Sequence, residues 1–561
     1  MSNASHFLRG RVWVYLYAAL AVPLVYGASF PAGKLAWIGW IGFAPWFVAI
    51  RIAGTRTAII LCCISTLLGS YMCTPWLAHA VANYYQQPLA LGLALFAGVW
   101  AVTISPFLIA FTLCFRELTR KPSVWLPLLT AAAWTGAELG RARLLVGDPF
   151  GLFGYSQVEV MPLVQVAELT GVYGLTFLPM AFNAALADLW LAYRPPSPPV
   201  PVATPAVAWR GAALVGVVLV AALAYGTVRL QSVGEAFESV PSTQVAVVQG
   251  NLDLGAQWRQ ELYGRNLEEY VLLTLKVLRP GAATLVFWPE SAMTFFLEEE
   301  PSFRASLASA LSPLRTQLVA GGPRRVGDDT GQYYNSAFVI APTGEIVATY
   351  DKQRLLPFAE YFPFGGVGLL RRHFARVREF TPGGPARLLP TVAGAAGVLI
   401  CNEAMFGEMA GDRVRDGAEY LVSLANDSWL GDPMYAAEAF DMTRLRAVEQ
   451  RRYLVRASTS GPSAIIDPLG RIAASTRNGT RATLAGEIRP LRQTTFYARW
   501  GDVFGVGCVV VCLGCIALRR GRGNEKPKTE NGKRKTGQLA GFTFSVFGFL
   551  FFIRSVGGVR E

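Results

Sequence analysis

The sequence predicts a polytopic α-helical membrane domain of about eight spans joined to an extracytoplasmic α/β domain. Three observations carry this. The 561-residue chain is 52% hydrophobic and only 16% charged, with mean hydropathy +0.35, which is too apolar for a soluble protein. Long apolar runs recur through residues 1–232 and again at Val503–Leu518. Between Val233 and Ala498 short β-type runs alternate with helical patterns instead.

The first apolar run, Val12–Phe30, follows a short basic stretch, Met1–Arg11. No small-residue cleavage pattern is obvious after it, so it reads as an uncleaved first helix. Further spans are expected at Leu35–Ile50, Thr57–Trp76, Pro88–Phe115, Val124–Leu139, Tyr173–Tyr193 and Gly211–Leu230. Some hold only about 16 apolar residues, near the lower limit for a crossing. Arg9 and Arg11, Arg51 and Arg56, Arg116, Arg120 and Lys121, and Arg194 and Arg210 fall in alternate loops. The intervening loops are poorer in positive charge, Arg141 and Arg143 being the exception. This bias puts the N-terminus in the cytoplasm and everything after Arg229 outside it. The span at Val503–Leu518 returns the chain to a basic tail, Arg519–Lys535. The net charge of +13 therefore belongs to membrane topology and does not imply nucleic acid. The domain division is 1–232, 233–498, 499–518 and an unassigned tail, 519–561, whose run Leu539–Ile553 has marginal length for a span.

Two features of the helical half are unusual. Glu138 stands near the end of the fifth span, either as a functional group or at the interface. Gly147–Gln157, GDPFGLFGYSQ, is rich in glycine and aromatics and reads as an interfacial or re-entrant loop.

In the α/β part, strands are expected at Gln244–Val248, Thr284–Trp288, Gln317–Ala320, Ser336–Ile340, Ile346–Tyr350, Gly397–Ile400, Tyr420–Leu424, Tyr453–Ala457 and Ala464–Ile466. Pro342-Thr343-Gly344 and Asp467-Pro468-Leu469-Gly470 read as hairpin turns. Helices are expected at Trp258–Val277, Phe303–Leu314 and Ala436–Glu449. About 265 residues suffice for one core.

The residues that look chemical all follow strands, where α/β sheets build their sites. Glu290 follows Leu285–Pro289, Lys352 follows Ile346–Tyr350, Cys401-Asn402-Glu403 follows Gly397–Ile400, and Asn426-Asp427-Ser428-Trp429 follows Tyr420–Leu424. Each has a bland alternative: a helix-start carboxylate, a surface lysine, a buried thiol, a turn. Four such events in one domain favour a site. Seven of the eight cysteines lie in or beside apolar runs, and Cys401 alone is in the polar part. The three histidines have no obvious partner, so the base for a reactive Cys401 is a carboxylate. Glu290 can take the thiol proton, and Lys352 can face a developing oxyanion and favour the thiolate.

At these residues the sequence resembles the nitrilase superfamily. WPES (Trp288–Ser291), YDKQRLLPFAEYFPF (Tyr350–Phe364), ICNE (Ile400–Glu403) and NDSWLGD (Asn426–Asp432) carry the match. Flanking spans narrow it to the apolipoprotein N-acyltransferases, and QGN (Gln249–Asn251), Trp258 and GYSQ (Gly154–Gln157) are similar to that family too. The resemblance covers the chain to about Leu518. It implies an α-β-β-α sandwich with Glu290 as base, Lys352 as oxyanion stabiliser and Cys401 as nucleophile. Glu360 and Glu403 would support them, and Trp258 and Trp429 would lie on loops at the mouth. Glu138 and Tyr155 join these as substrate-binding candidates. Asn402 stands where an aromatic is common in the family. The implied reaction moves an acyl chain from a membrane phospholipid, through a cysteine thioester, to the N-terminal S-diacylglyceryl cysteine of an apolipoprotein. It needs no metal or cofactor. The expected setting is a monomer in the bacterial inner membrane with its catalytic domain in the periplasm. The alternatives are a tethered amidase, a transporter with an accessory domain, and a non-catalytic binding module.

Overall fold

The computed structural model describes residues 2–521 apart from 32, 34, 198, 253–259, 279–283, 328–331, 364–367, 375–376 and 378. Trp258 and Leu539–Ile553 lie outside the described residues. The α/β part contains strands β1 (Thr243–Gln249), β2 (Leu285–Phe287), β3 (Gln317–Arg325), β4 (Tyr333–Ile340), β5 (Ile346–Asp351) and β6 (Leu389–Thr391). They are followed by β7 (Gly394–Ile400), β8 (Tyr420–Ala425), β9 (Leu454–Ser458), β10 (Ala464–Ile466), β11 (Ile472–Ser475) and β12 (Ala482–Ile488).

Side-chain alternation along these strands decides the layering. Val245 and Val247 of β1 share a core with Val398 and Ile400 of β7 and Val422 and Leu424 of β8. The intervening Ala246 and Val248 face helices Tyr263–Val277 and Pro301–Leu311 through Leu267, Tyr270, Leu307 and Leu311. Leu399 and Leu421 face away from the inter-sheet core in the other direction. Two six-stranded sheets result, ordered β12-β1-β2-β3-β4-β5 and β11-β10-β9-β8-β7-β6. Each has a parallel centre, β1-β2-β3 and β7-β8-β9, with antiparallel pairs outside. Strands buried on both faces read as continuous apolar runs, which is why the central ones were legible. This is an α-β-β-α sandwich.

The outer face of the second sheet is covered by helices Gly407–Arg415 and Pro433–Gln450. Its residues Leu399, Leu421, Leu454 and Ile466 belong to the same core as Phe43, Trp134 and Leu175 of the helical N-terminal part. The α/β part and the helices therefore share one apolar interior within the unit Met1–Ile516.

Three described helices, Thr55–Cys73, Val172–Tyr193 and Pro205–Glu238, are long and apolar enough to cross a membrane. The pair Leu89–Thr103 and Ser105–Thr119, bent by 47°, adds a fourth if it is one span. The expected count of about eight is not reached by length and composition. Leu126–Arg143 carries Glu138, Arg141 and Arg143. Leu35–Ile50 breaks into a 3-10 turn, Ala36–Trp40, and a helix, Ala44–Ile52. Trp13–Ser29 and Val503–Arg519 are shorter apolar helices.

Two further differences matter. The stretch read as a loop between Cys73 and Pro88 holds a short helix, Trp76–Asn83. Helix Pro205–Glu238 continues beyond Leu230 to the start of the α/β part. Three strands, β6, β11 and β12, and helix Gly407–Arg415 were not anticipated. β6 is three residues with Pro390, and β11 and β12 are edge strands with exposed positions. Gly407–Arg415 carries two glycines and four charges, which hides its apolar face.

Candidate active site

Three strand ends converge. β7 ends at Ile400, and Cys401 takes up a left-handed backbone conformation at φ 53° before a 3-10 turn, Cys401–Met405. That conformation is uncommon for a residue with a side chain and costs of order 1–3 kcal/mol, so the surroundings must hold it. β2 ends at Phe287, and the chain turns through Trp288-Pro289 to Glu290. The turn lies against Gly321 of β3, where a Cβ would stand 2.7 Å from the Glu290 Cα and 2.8 Å from the Pro289 carbonyl oxygen. Any larger residue at 321 would displace Glu290. Lys352 follows β5, and its N–H is held by the Asn335 carbonyl at 2.8 Å.

All three side chains are buried. The Lys352 ammonium donates to Glu360 Oε1 at 2.9 Å, pairs with Glu360 Oε2 at 2.8 Å and stands 3.8 Å from Glu290 Oε1. Asn335 joins the two carboxylates: its Nδ2 donates to Glu290 Oε1 at 2.7 Å and to Glu360 Oε1 at 2.8 Å. Glu360 Oε2 also accepts the Leu356 N–H at 2.7 Å, which folds the lysine loop around it.

The electrostatics follow from burial and charge. Burial drives the Glu290 carboxyl upward against the Lys352 ammonium, Glu360 adds its negative charge, and the result is a pKa of about 7. Burial also pushes the Cys401 thiol well above its ordinary range; the Glu290 charge adds to this and Lys352 opposes it. Burial works against the Lys352 ammonium, but Glu360 and Glu290 outweigh it and hold it charged. The resting arrangement is a neutral thiol beside a carboxyl poised near neutrality and a fixed cation. Such a set can transfer a proton, form a covalent bond and stabilise an oxyanion.

Glu403 is fully buried and binds the two loops together. Its carboxylate accepts the Tyr350 hydroxyl at 2.9 Å, the Gln353 and Arg354 N–H groups at 2.8 and 3.1 Å, and the Ile400 N–H at 2.8 Å. Arg413 reinforces the joint, donating to the Tyr350 hydroxyl at 2.6 Å and the Val398 carbonyl at 3.0 Å.

Two family models match the sequence, the apolipoprotein N-acyltransferase N-terminal domain over residues 23–185 and carbon-nitrogen hydrolase over residues 244–495. The apolipoprotein N-acyltransferase of Geobacter metallireducens is 33% identical over 518 residues, covering 90% of this chain and 95% of that protein. The chain belongs to the apolipoprotein N-acyltransferase family. The Bradyrhizobium diazoefficiens apolipoprotein N-acyltransferase is 34% identical over 70% of this chain and 73% of its own length. Among solved structures, a carbon-nitrogen hydrolase from Helicobacter pylori is 19% identical, covering 47% of this chain and 94% of that one, with TM-score 0.35.

In this apolipoprotein N-acyltransferase family member the remaining candidates fall into two places. The Trp429 ring lies 5.8 Å from that of Tyr84 in the helical part and 6.3 Å from that of Tyr435, centroid to centroid. Tyr435 is buried close enough to Cys401 and Glu290 to feel their charge, and it meets Trp76 at 4.8 Å. Glu138 and Tyr155 are used in packing the helical part and its loop. Glu138 accepts the Trp134 indole N–H at 3.0 Å, the Phe153 N–H at 2.9 Å and the Thr176 hydroxyl at 2.6 Å. Tyr155 accepts from Arg446 at 2.8 Å. The structure does not bring either of them into contact with the Glu290–Lys352–Cys401 group. Asp427, at the fourth strand end, forms a buried ion pair with Arg456 at 3.0 Å and accepts from Ser458 at 2.7 Å. Asn402 is buried, and its Oδ1 has no hydrogen-bond partner.

Sequence reasoning missed Asn335 and Arg413. Asn335 lies in the first part of β4, two residues before the apolar run Ala337–Ile340 that announces the strand. Glu438 was also missed. It leaves the α/β part to accept the Trp76 indole N–H at 3.1 Å and the Gly151 N–H at 2.9 Å.

Proposed function

We propose that this protein transfers an acyl chain from a membrane phospholipid, through a thioester on Cys401, to the α-amine of an N-terminal S-diacylglyceryl cysteine on an apolipoprotein. The observation that carries the reading is the buried convergence of Glu290, Lys352 and Cys401 in a chain that matches this family over nearly its whole length. Glu290 takes the Sγ proton as sulfur attacks the ester carbonyl. The oxyanion faces the Lys352 ammonium and a backbone N–H of the Cys401 turn. Collapse expels the lysophospholipid oxygen, which leaves with the proton held by Glu290. In the second half the amine attacks the thioester, Glu290 receives its proton, and Cys401 departs as thiolate and is reprotonated. Glu360 and Asn335 hold the lysine and the base, and Glu403 holds the loops. Trp429 and Trp258 are assigned to substrate binding at the mouth. Glu138 and Tyr155 would act on acyl chains through the loop Gly147–Gln157.

The same reading places about eight crossings in the bacterial inner membrane. Residues 1–232 form the membrane part, 233–498 the periplasmic catalytic part and 499–518 the closing helix, in a single chain without a partner subunit. Reporter fusions at Gly255 and Gly523 test the orientation; a cytoplasmic signal at Gly255 refutes it. The chemistry is tested by intact mass analysis after incubation with phospholipid. Wild type should gain one acyl mass on Cys401 and release one lysophospholipid without any acceptor, and Cys401→Ala should do neither. Rapid loss of the acyl group to water would favour an amidase, and transfer by Cys401→Ala would end the covalent mechanism.

A further inference from the structure

A second cavity, of about 270 Å³, lies away from Cys401, where the far end of helix Pro205–Glu238 meets the second sheet and its loops. One wall is apolar, made by Val233, Ala236, Phe237 and Val240. Among the described residues, the charged ones lining it are two arginines, Arg451 and Arg492. Arg492 is exposed and bonded to Glu419 at 2.7 Å. Arg451 is 2% exposed. Its Nε donates to Glu168 at 2.6 Å, and its Nη1 donates to Gln165 Oε1 at 2.7 Å and the Pro468 carbonyl at 2.9 Å. Its Nη2 is buried and has no hydrogen-bond partner. Glu168 is already shared with Arg229 at 2.5 Å, so its one negative charge faces two guanidinium groups. A buried cationic donor left without an acceptor is costly, and an anion supplies what is missing.

Depth identifies which anion. At 1.5 Å per residue a hydrocarbon core of ~30 Å takes up about 20 residues of helix. A crossing that starts at Gly211 therefore ends near Leu230. The headgroup layer fills a further ~5–8 Å, about three to five residues of helix, so Val233 at the near end of the cavity stands in it and Phe237 and Val240 lie beyond it toward the catalytic domain. This placement rests on the proposal above that Pro205–Glu238 crosses the bilayer. We propose that the cavity binds the phosphate of an anionic phospholipid from the leaflet on the side of the catalytic domain, separately from the acyl donor at Cys401. The phosphate meets Arg451 Nη2 with Arg492 at the rim, and the glycerol lies on Val233 at the end of the cavity nearest the hydrocarbon core.

The test uses the full chain and a dialkyl-ether phosphatidylglycerol, which has no ester for Cys401 to attack. Native mass spectrometry follows its retention against the matching ether phosphatidylcholine. Wild type should retain the anionic lipid at least tenfold better. Ala236→Trp fills the cavity from an exposed helix position and should abolish the preference while leaving Cys401 acylation by an ordinary ester phospholipid unchanged. Arg451→Gln should abolish the preference as well. Millimolar inorganic phosphate should not displace the lipid. Displacement by free phosphate, equal retention of the two ether lipids by wild type, or an undiminished preference in Ala236→Trp would each overturn the proposal. Loss of Cys401 acylation in wild type would instead refute the proposed function, and the retention measurement would still stand on its own.

Discussion

Asn335→Ala should move the acid limb of Cys401 acylation toward higher pH. In the wild type Glu290 must be ionised to take the thiol proton, and its pKa is about 7. Below that value the acylation rate should fall roughly tenfold per pH unit, and above it the rate should level off. Asn335 donates at 2.7 Å to the ionised carboxylate and so favours it. A hydrogen bond to a charged group is worth about 1.5–3 kcal/mol, which is about 1–2 pH units. The midpoint should therefore rise to between about 8 and 9, lowering the rate at pH 7 roughly 5- to 50-fold and recovering most of it above about pH 9. The assay is the rate of acyl mass gain on Cys401 with phospholipid alone, quenched at intervals across pH. A limb with an unmoved midpoint and a uniformly lower plateau would refute the electrostatic reasoning, because Asn335 would then only position the group. A downward shift would refute its sign.

Lys352→Ala should slow acylation by about 2.7–4 kcal/mol, roughly 100- to 1000-fold, if the ammonium faces the oxyanion; single-turnover rates at saturating phospholipid read this directly. Glu403→Ala should destabilise the fold by about 3–5 kcal/mol, because the buried Ile400 N–H, the part-buried Gln353 and Arg354 N–H groups and the Tyr350 hydroxyl lose their acceptor, and a shift in the denaturation midpoint measures it. Burial raises the Glu438 carboxyl to about 7, above its ordinary value. Its contribution to stability is therefore present below the unfolded value of about 4.3 and is lost as pH rises through 7. Glu438→Gln, whose single amide oxygen can accept from Trp76 or from Gly151, should lower thermal stability but flatten its dependence on pH between 5 and about 8, and a slope equal to wild type would contradict the assignment.

The catalytic residues were legible because each follows an apolar run and carries a side chain that such runs lack. Cys401 comes directly after Val398-Leu399-Ile400, and Glu290 comes three residues after the end of β2. Asn335 gave no such signal, being placed by a strand that starts earlier than its apolar residues do. Asp427 looked equally chemical and is an ion-pair partner, since Arg456 lies within β9, about thirty residues further along. That pairing depends on which strands become neighbours, and local pattern does not carry it. The helix Pro433–Gln450 was expected, but not that most of its polar residues are buried. Glu438, Arg444 and Arg446 find partners in the helical part, at Trp76, Glu159 and Tyr155. The crossings were harder because Leu126–Arg143 draws its burial from neighbours and not from its own apolarity.

The shared interior has a consequence for how the molecule comes to exist. Helix Pro433–Gln450, which covers Leu399, Leu421, Leu454 and Ile466, is itself covered only when helices made much earlier in synthesis are already assembled beside it. A fragment beginning at Val233 would show the outward side of Pro433–Gln450, with the charges of Glu438, Arg444 and Arg446, to water without their partners. Such a fragment should aggregate on expression, and supplying residues 1–232 as a separate polypeptide in the same cell should rescue it. Maturation of the catalytic half is thus a templated event, with the helical half acting as a chaperone that never leaves.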